Sequence, residues 1–191
     1  RCRMKKLIGL FFMLFALVVL PGCGGSGNSS KSIFTEPGLA AKAISELKET
    51  PDLKGKEVKV FQNVLITDLQ GVGNKIDIDI LVPGSKDQVN HYTYQNGKWS
   101  APAPVQITGD GDMDDNVMPI DSIDYGKIPD IYKAAEEKAK SIENGKVDKM
   151  LNYIYYIDDR SYKAVINIEG AREKYTGFFD AKGNLLEMKK N

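Results

Sequence analysis

An unbroken apolar run over residues 7–20 (LIGLFFMLFALVVL) follows two lysines, Lys5 and Lys6, and ends at Pro21, Gly22 and Cys23. A basic start, an apolar middle and a small residue before a cleavage point form the three-part pattern of an export signal. The run is shorter than the roughly 20 residues that a spanning helix needs to cross a hydrocarbon core. Residues 1–22 therefore read as a signal peptide that is removed, with Met4 as its start, and the fold must be built from the residues beyond Gly22. Two other readings fit the same segment: a cleaved signal in which Cys23 is incidental, and an uncleaved membrane anchor.

Leu20-Pro21-Gly22-Cys23 resembles the lipobox of bacterial lipoproteins, with leucine three positions before the cysteine and a small residue immediately before it. Pro21 stands where alanine or serine is commoner. The resemblance implies lipidation of the Cys23 thiol, cleavage before it, and acylation of the new amino group by chains such as palmitate. Two or three chains anchor firmly, because each buried CH₂ contributes about 0.8 kcal/mol and one chain alone is marginal. Residues 23–34 open with Gly24, Gly25, Ser26, Gly27, Asn28, Ser29 and Ser30 and read as a flexible Gly/Ser tether. The expected address is the cell envelope, on the extracytoplasmic side. Gly24 and Gly25 do not resemble the aspartate signal that retains some lipoproteins at the inner membrane, so the outer membrane is favoured in an organism with two.

Hydrophobic residues make up 42% of the chain and charged residues 27%, enough apolar content for a packed core. Arg1, Arg3, Lys5 and Lys6 precede Cys23; removing these four from 26 basic residues leaves 22 against 26 acidic ones, a net −4. That balance, without a basic cluster, argues against nucleic acid as a partner and against binding anionic lipid by charge. The cysteines are Cys2 and Cys23, so one remains after cleavage and no internal disulfide can form. Stability must come from a core, which about 160 residues can build.

Helical spacing begins after Thr35 and Pro37, with Leu39, Ala40, Ala43, Ile44 and Leu47 on one face. A strand is expected over 58–65, and turn residues occupy 68–74. Ile76, Ile78, Ile80 and Val82 then alternate with Lys75, Asp77, Asp79 and Leu81, the period of a half-buried strand. HYTYQ over 91–95, Asn96-Gly97 and Lys98-Trp99 read as a hairpin. A second cycle opens at Pro129 and Asp130 with a helix carrying Ile131, Ala134, Ala135, Ala139 and Ile142. Strands are expected over 150–157, 162–169, 174–180 and 185–189. The predicted fold class is α+β, in two similar units, each a helix packed on an antiparallel β-meander: a first unit over 35–108, an acidic linker over 109–128 and a second unit over 129–191.

This order of elements, closing on FFDAKGNLLEMKK over 178–190, resembles the PepSY-like and β-lactamase-inhibitor-like (BLIP-like) secreted bacterial domains. The resemblance implies a non-enzymatic domain, often lipid-anchored, that binds and in some cases inhibits another protein. It carries no inhibitory residue over to this chain.

Catalytic groups are sparse. His91 is the one histidine, so triads and histidine-based metal sites cannot be assembled, and it reads as a surface or edge residue. Gly71-Val72-Gly73 lacks the rest of a phosphate loop. Asp110, Asp112, Asp114, Asn116 and Asp121 fall at relative positions 1, 3, 5, 7 and 12, a spacing that could ring calcium with oxygens, although Asp115 stands where such a loop needs glycine. A solvated acidic linker is the plainer reading, and no cofactor is otherwise expected. In NYIYYI over 152–157, Tyr153 and Tyr155 share one face and Tyr156 the other, and one face is either covered or free for a partner; Tyr153, Tyr155 and Tyr156 are the candidate binding residues. The expected function is a membrane-anchored, non-catalytic binding module for an envelope or extracellular protein. The alternatives are a carboxylate-dependent envelope hydrolase and a carrier of an apolar ligand.

Overall fold

The structure is a computed structural model that describes residues 31–191, so Cys23, the signal segment and most of the tether lie outside the described residues. Among the described residues the fold is α+β, with ten antiparallel strands in one sheet and two α-helices. The strands are β1 (Lys59–Leu69), β2 (Gly73–Leu81), β3 (Val89–Gln95), β4 (Lys98–Trp99), β5 (Ala103–Val105), β6 (Val117–Pro119), β7 (Lys146–Tyr156), β8 (Ser161–Glu169), β9 (Lys174–Asp180) and β10 (Leu185–Lys190). The helices are α1 (Leu39–Lys48) and α2 (Ile128–Ala139). Strand order is β10-β9-β8-β7-β1-β2-β3-β4, with β5 paired to β3 and β6 to β1.

Alternation sets which face is covered. Ile76, Ile78 and Ile80 are buried while Lys75, Asp77 and Asp79 between them are not, and the same period buries Tyr162, Ala164, Ile166 and Ile168 on β8. Both helices press their apolar sides onto that face, and a single core cluster runs from Ala43 and Leu47 of α1 to Ile131 and Ala135 of α2. The β3–β4 hairpin turns on Asn96 and Gly97, at φ 53° and 77°, the two left-handed residues that a type I′ turn needs. Trp99 on β4 then donates its indole N–H to the Ala43 carbonyl of α1 at 2.6 Å, tying that edge to the helix.

Two stretches differ from expectation. The tether ends at the body sooner than residue 34: Ile33 and Phe34 have no exposed surface, and Phe34 packs on Tyr132 of α2 with ring centroids 5.3 Å apart. Their backbone is pinned beside the β1–β2 turn, where Asn74 Oδ1 accepts from Ile33 N at 2.8 Å and Asn74 Nδ2 donates to the Lys31 carbonyl at 2.7 Å. Ser32 Oγ and Lys149 Nζ both donate to Asp68. Burial pushes the Asp68 carboxyl up, but those two hydrogen bonds and the Lys149 charge outweigh it and hold it below the usual carboxylate range. The segment over 109–128 is an exposed loop only in its first part. Its second part forms β6 and two 3₁₀ turns, Ile120–Ser122 and Tyr125–Lys127, and buries Val117, Ile120, Ile123 and Tyr125. Apolar residues spaced without a regular period carry no helix or strand signature, which is why this part reads as a loop.

The register also fixes the two ends of the sheet. The β1–β2 turn, the start of β7 and Lys31 share one end, whereas the β7–β8 and β9–β10 turns and the segments over 82–88 and 106–116 share the other.

Candidate binding surface

Because core side chains occupy one face, the residues between them form a second face that carries no helix among the described residues. Cross-strand register places Phe178, Val165, Asn152, Leu65, Asp77 and Thr93 in one row across β9, β8, β7, β1, β2 and β3. Ile154 and Lys163 pair in the next row, with Tyr156 beyond them. Phe178, Val165, Leu65 and Ile154 are half-buried against each other, and Met150 is 44% exposed. The β7–β9 side of this face is thus apolar, and the β2–β3 side is polar.

The tyrosine run divides between the two faces. Tyr153 has no exposed surface and belongs to the core, so it cannot line a free surface, contrary to expectation: its side chain meets Tyr125 edge-on at 5.9 Å between centroids. Tyr155 lies on the same covered face against Tyr162, at 5.5 Å. Tyr156 alone of the three points to the helix-free side, where Lys163 Nζ sits 4.1 Å above its ring.

His91 is better connected than an isolated surface histidine. Strands β2 and β3 put it opposite Asp79, with Nδ1 2.7 Å from Asp79 Oδ1, while Nε2 lies 3.1 Å from Thr93 Oγ1 and 3.3 Å from Asp77 Oδ1. Thr93 Oγ1 donates to Asp77 Oδ1 at 2.9 Å, and Lys75 Nζ pairs with Asp77 Oδ2 at 2.8 Å. The ladder links β2 to β3 through side chains along their polar face.

The calcium positions are drawn into other partnerships. Asp112 caps the short turn Met113–Asp115 by accepting from Asp114 N at 3.0 Å, and Asn116 Nδ2 donates to the Asp112 carbonyl at 2.8 Å. Asp121 sits apart, paired with Lys48 of α1 at 2.8 Å, and Asp110 makes no side-chain hydrogen bond or ion pair among the described residues. Asp115, at the glycine position, bonds Arg160 of the β7–β8 turn at 3.2 Å. Among the described residues no three histidine, cysteine or acidic side chains are grouped to hold a metal ion.

One carboxyl stands out. Burial pushes Asp148 up, the neighbouring Glu169 charge adds to it, and Lys174 opposes both. It borders a hollow of about 460 Å³ lined also by Asn144, Lys146, Lys149 and Glu169, and Lys174 holds Glu169 at 2.8 Å. Larger hollows, of about 650 and 830 Å³, lie at the opposite end of the sheet and share Lys86, Asp112 and Met113. Both are lined by charged as well as apolar groups. No described helix is long and apolar enough to cross a membrane.

No known protein family and no curated protein matches the chain. The fold is similar to the crystal structure of "a putative lipoprotein" from Clostridium difficile 630, with a TM-score of 0.56 at 14% identity, covering 83% of this chain and 97% of that one. At that identity the likeness is one of fold.

Proposed function

We propose that this chain is a lipoprotein, held on the extracytoplasmic side of a membrane by lipid on Cys23, whose body is a non-catalytic module that binds another envelope or extracellular protein. The observation that carries the binding role is the helix-free sheet face, where Phe178, Val165, Ile154 and Leu65 form a half-exposed apolar stripe flanked by Met150 and Tyr156. Aromatic and aliphatic groups rimmed by charge are what recognition surfaces use. The description of the Clostridium difficile neighbour agrees with the lipoprotein reading. The tether joins the body beside the β1–β2 turn, so the opposite end stands farthest from the anchor, and the open face runs from one end to the other.

The test is site-directed photocrosslinking in intact envelopes, from position 154 or 165 on the open face and from position 133 on the helix layer as a control. The expected result is one adduct of the same mass from 154 and 165 and none from 133, with the adduct from 154 abolished by Val165→Glu and that from 165 abolished by Ile154→Glu. Equal labelling from 133, or none from the sheet, contradicts the reading.

Internal duplication, as in the PepSY-like and BLIP-like domains, is also part of this proposal. Strand β1 spends four residues where β2 spends two (Val60 opposite Ile80, Val64 opposite Ile78), and β7 does the same against β8 (Val147 opposite Ile168, Leu151 opposite Ile166). The first strands of each half have 11 residues, the second 9 and the third 7. A shared irregularity at a matching place supports common origin better than matching element order does, because bulges are specific local features.

A hydrolase acting on envelope glycan or peptide is the second reading, and Asp148 beside Glu169 is what favours it, since burial and a neighbouring carboxyl push Asp148 up, the direction a general acid needs. Asp148→Asn would then abolish hydrolysis of cell-wall material by the purified protein while leaving the photocrosslink intact.

A further inference from the structure

Where β1 and β7 meet, four tyrosines converge in the interior. Tyr153 and Tyr162 are 0% and 2% exposed and Tyr125 is 5% exposed; Tyr155 is half-buried, with its hydroxyl covered. The hydroxyl oxygens of all four are inaccessible, and none has a hydrogen-bond partner among the described residues. They form one group: Tyr125 packs on Tyr153, Tyr155 packs on Tyr162, and Tyr153 and Tyr155 stand two residues apart on the same face of β7.

The backbone ladder changes partners there. Strand β1 pairs with β7 over Val64–Thr67, then bends at Gln62, whose φ is 55°, and pairs with β6 instead. Beyond Tyr153 the β1–β7 ladder stops, Tyr155 N donates instead to the Asn63 side chain at 3.3 Å, and Tyr125 of the turn Tyr125–Lys127 packs on Tyr153.

A hydroxyl taken out of water without a partner is a strong penalty, and phenylalanine would fill the same volume without it. One such group is an ordinary exception; four in a single neighbourhood are not. We propose that the hydroxyls of Tyr125, Tyr153, Tyr155 and Tyr162 form a buried binding site for a cluster of water molecules, a neutral hydrogen-bonding ligand that ties the turn Tyr125–Lys127 to strands β7 and β8. The lining dictates a neutral occupant. No lysine or arginine among the described residues joins the cluster to balance an anion, and the nearby carboxylates are engaged elsewhere, Asp121 by Lys48 and Asp124 by the Gly126 N–H. Water can give and accept at each phenol, which no fixed neighbour here does.

The test pairs a high-resolution crystal structure of the purified protein with thermal unfolding of Tyr125→Phe and Tyr153→Phe, which keep ring and volume. The expected result is water density within hydrogen-bond distance of at least two of the four hydroxyls, together with a fall in Tm of about 2–4 °C in each variant as bound water loses a partner. Hydroxyls bonded to each other or to protein groups with no water between them would overturn the proposal. So would an unchanged or raised Tm in both variants, the signature of relieved unpaired hydroxyls.

Discussion

Gly97 and Gly183 occupy hairpin turns with nearly the same left-handed backbone, at φ 77° and 82°, yet their surroundings differ. A Cβ on Gly97 would meet nothing within 4 Å, whereas one on Gly183 would lie 2.7 Å from Lys127 Cβ and 3.6 Å from Ile131 Cγ1, because the β9–β10 turn is seated on the start of α2. Alanine at either position takes on the left-handed penalty of about 1–2 kcal/mol, and Gly183→Ala adds an overpacking cost of about 1–3 kcal/mol. Chemical denaturation should rank Gly183→Ala clearly below Gly97→Ala, and equal losses would mean that the turn is not seated. The Asn-Gly pair was legible in the sequence because the turn type demands those residues; the contact with Lys127 was not, since it joins residues 56 positions apart. His91 shows the same division. Its partners Asp77 and Asp79 become visible only when the register of β2 and β3 sets them opposite His91 and Thr93.

At the level of elements, period-two alternation located β2, the Asn-Gly turn located the β3–β4 hairpin, and helical spacing located α1 and α2; the strands expected over 162–169 and 174–180 are β8 and β9, with most ends within a few residues. What escaped was short or aperiodic: β6 has three residues, the bulges in β1 and β7 break the alternation, and Ile33-Phe34 are two apolar residues behind a Gly/Ser tract. That last pair has a sharp consequence. A chain beginning at Lys31 keeps the Asn74 and Asp68 contacts and the Phe34–Tyr132 packing, whereas one beginning at Thr35 loses all of them. The expected loss in the shorter chain is about 3–5 kcal/mol, the range for deleting one buried aromatic side chain, measured as a lowered denaturation midpoint with the chain from Lys31 unaffected. Equal midpoints would place Ile33 and Phe34 in the tether after all.

As a whole, the described residues form one sheet with helices on one side and none on the other, and tyrosines crowd its covered face. Burial pushes the hydroxyls of Tyr125, Tyr153 and Tyr162 well above the ordinary tyrosine range, with the charges of Tyr162, Tyr153 and Asp121 adding at Tyr125, Asp124 at Tyr153 and Tyr155 at Tyr162. The folded state holds these protons more tightly than the unfolded chain, so their share of stability is complete below about pH 10, the unfolded value, and is lost as pH rises beyond it. In an alkaline titration observed at the tyrosinate band, some of the nine tyrosines should ionise near pH 10 and the rest only in a later step coincident with unfolding. A single smooth step with the fold intact would refute the buried cluster. The proposed binding role rests on the anchor, because a recognition face at a membrane has meaning only if the chain is held there. Intact-mass measurement of the protein extracted in detergent from its native envelope tests it directly: a lipid-anchored chain begins at Cys23 and carries two or three acyl chains, and a mass that retains residues 4–22, or a Cys23 with a free thiol, would contradict it.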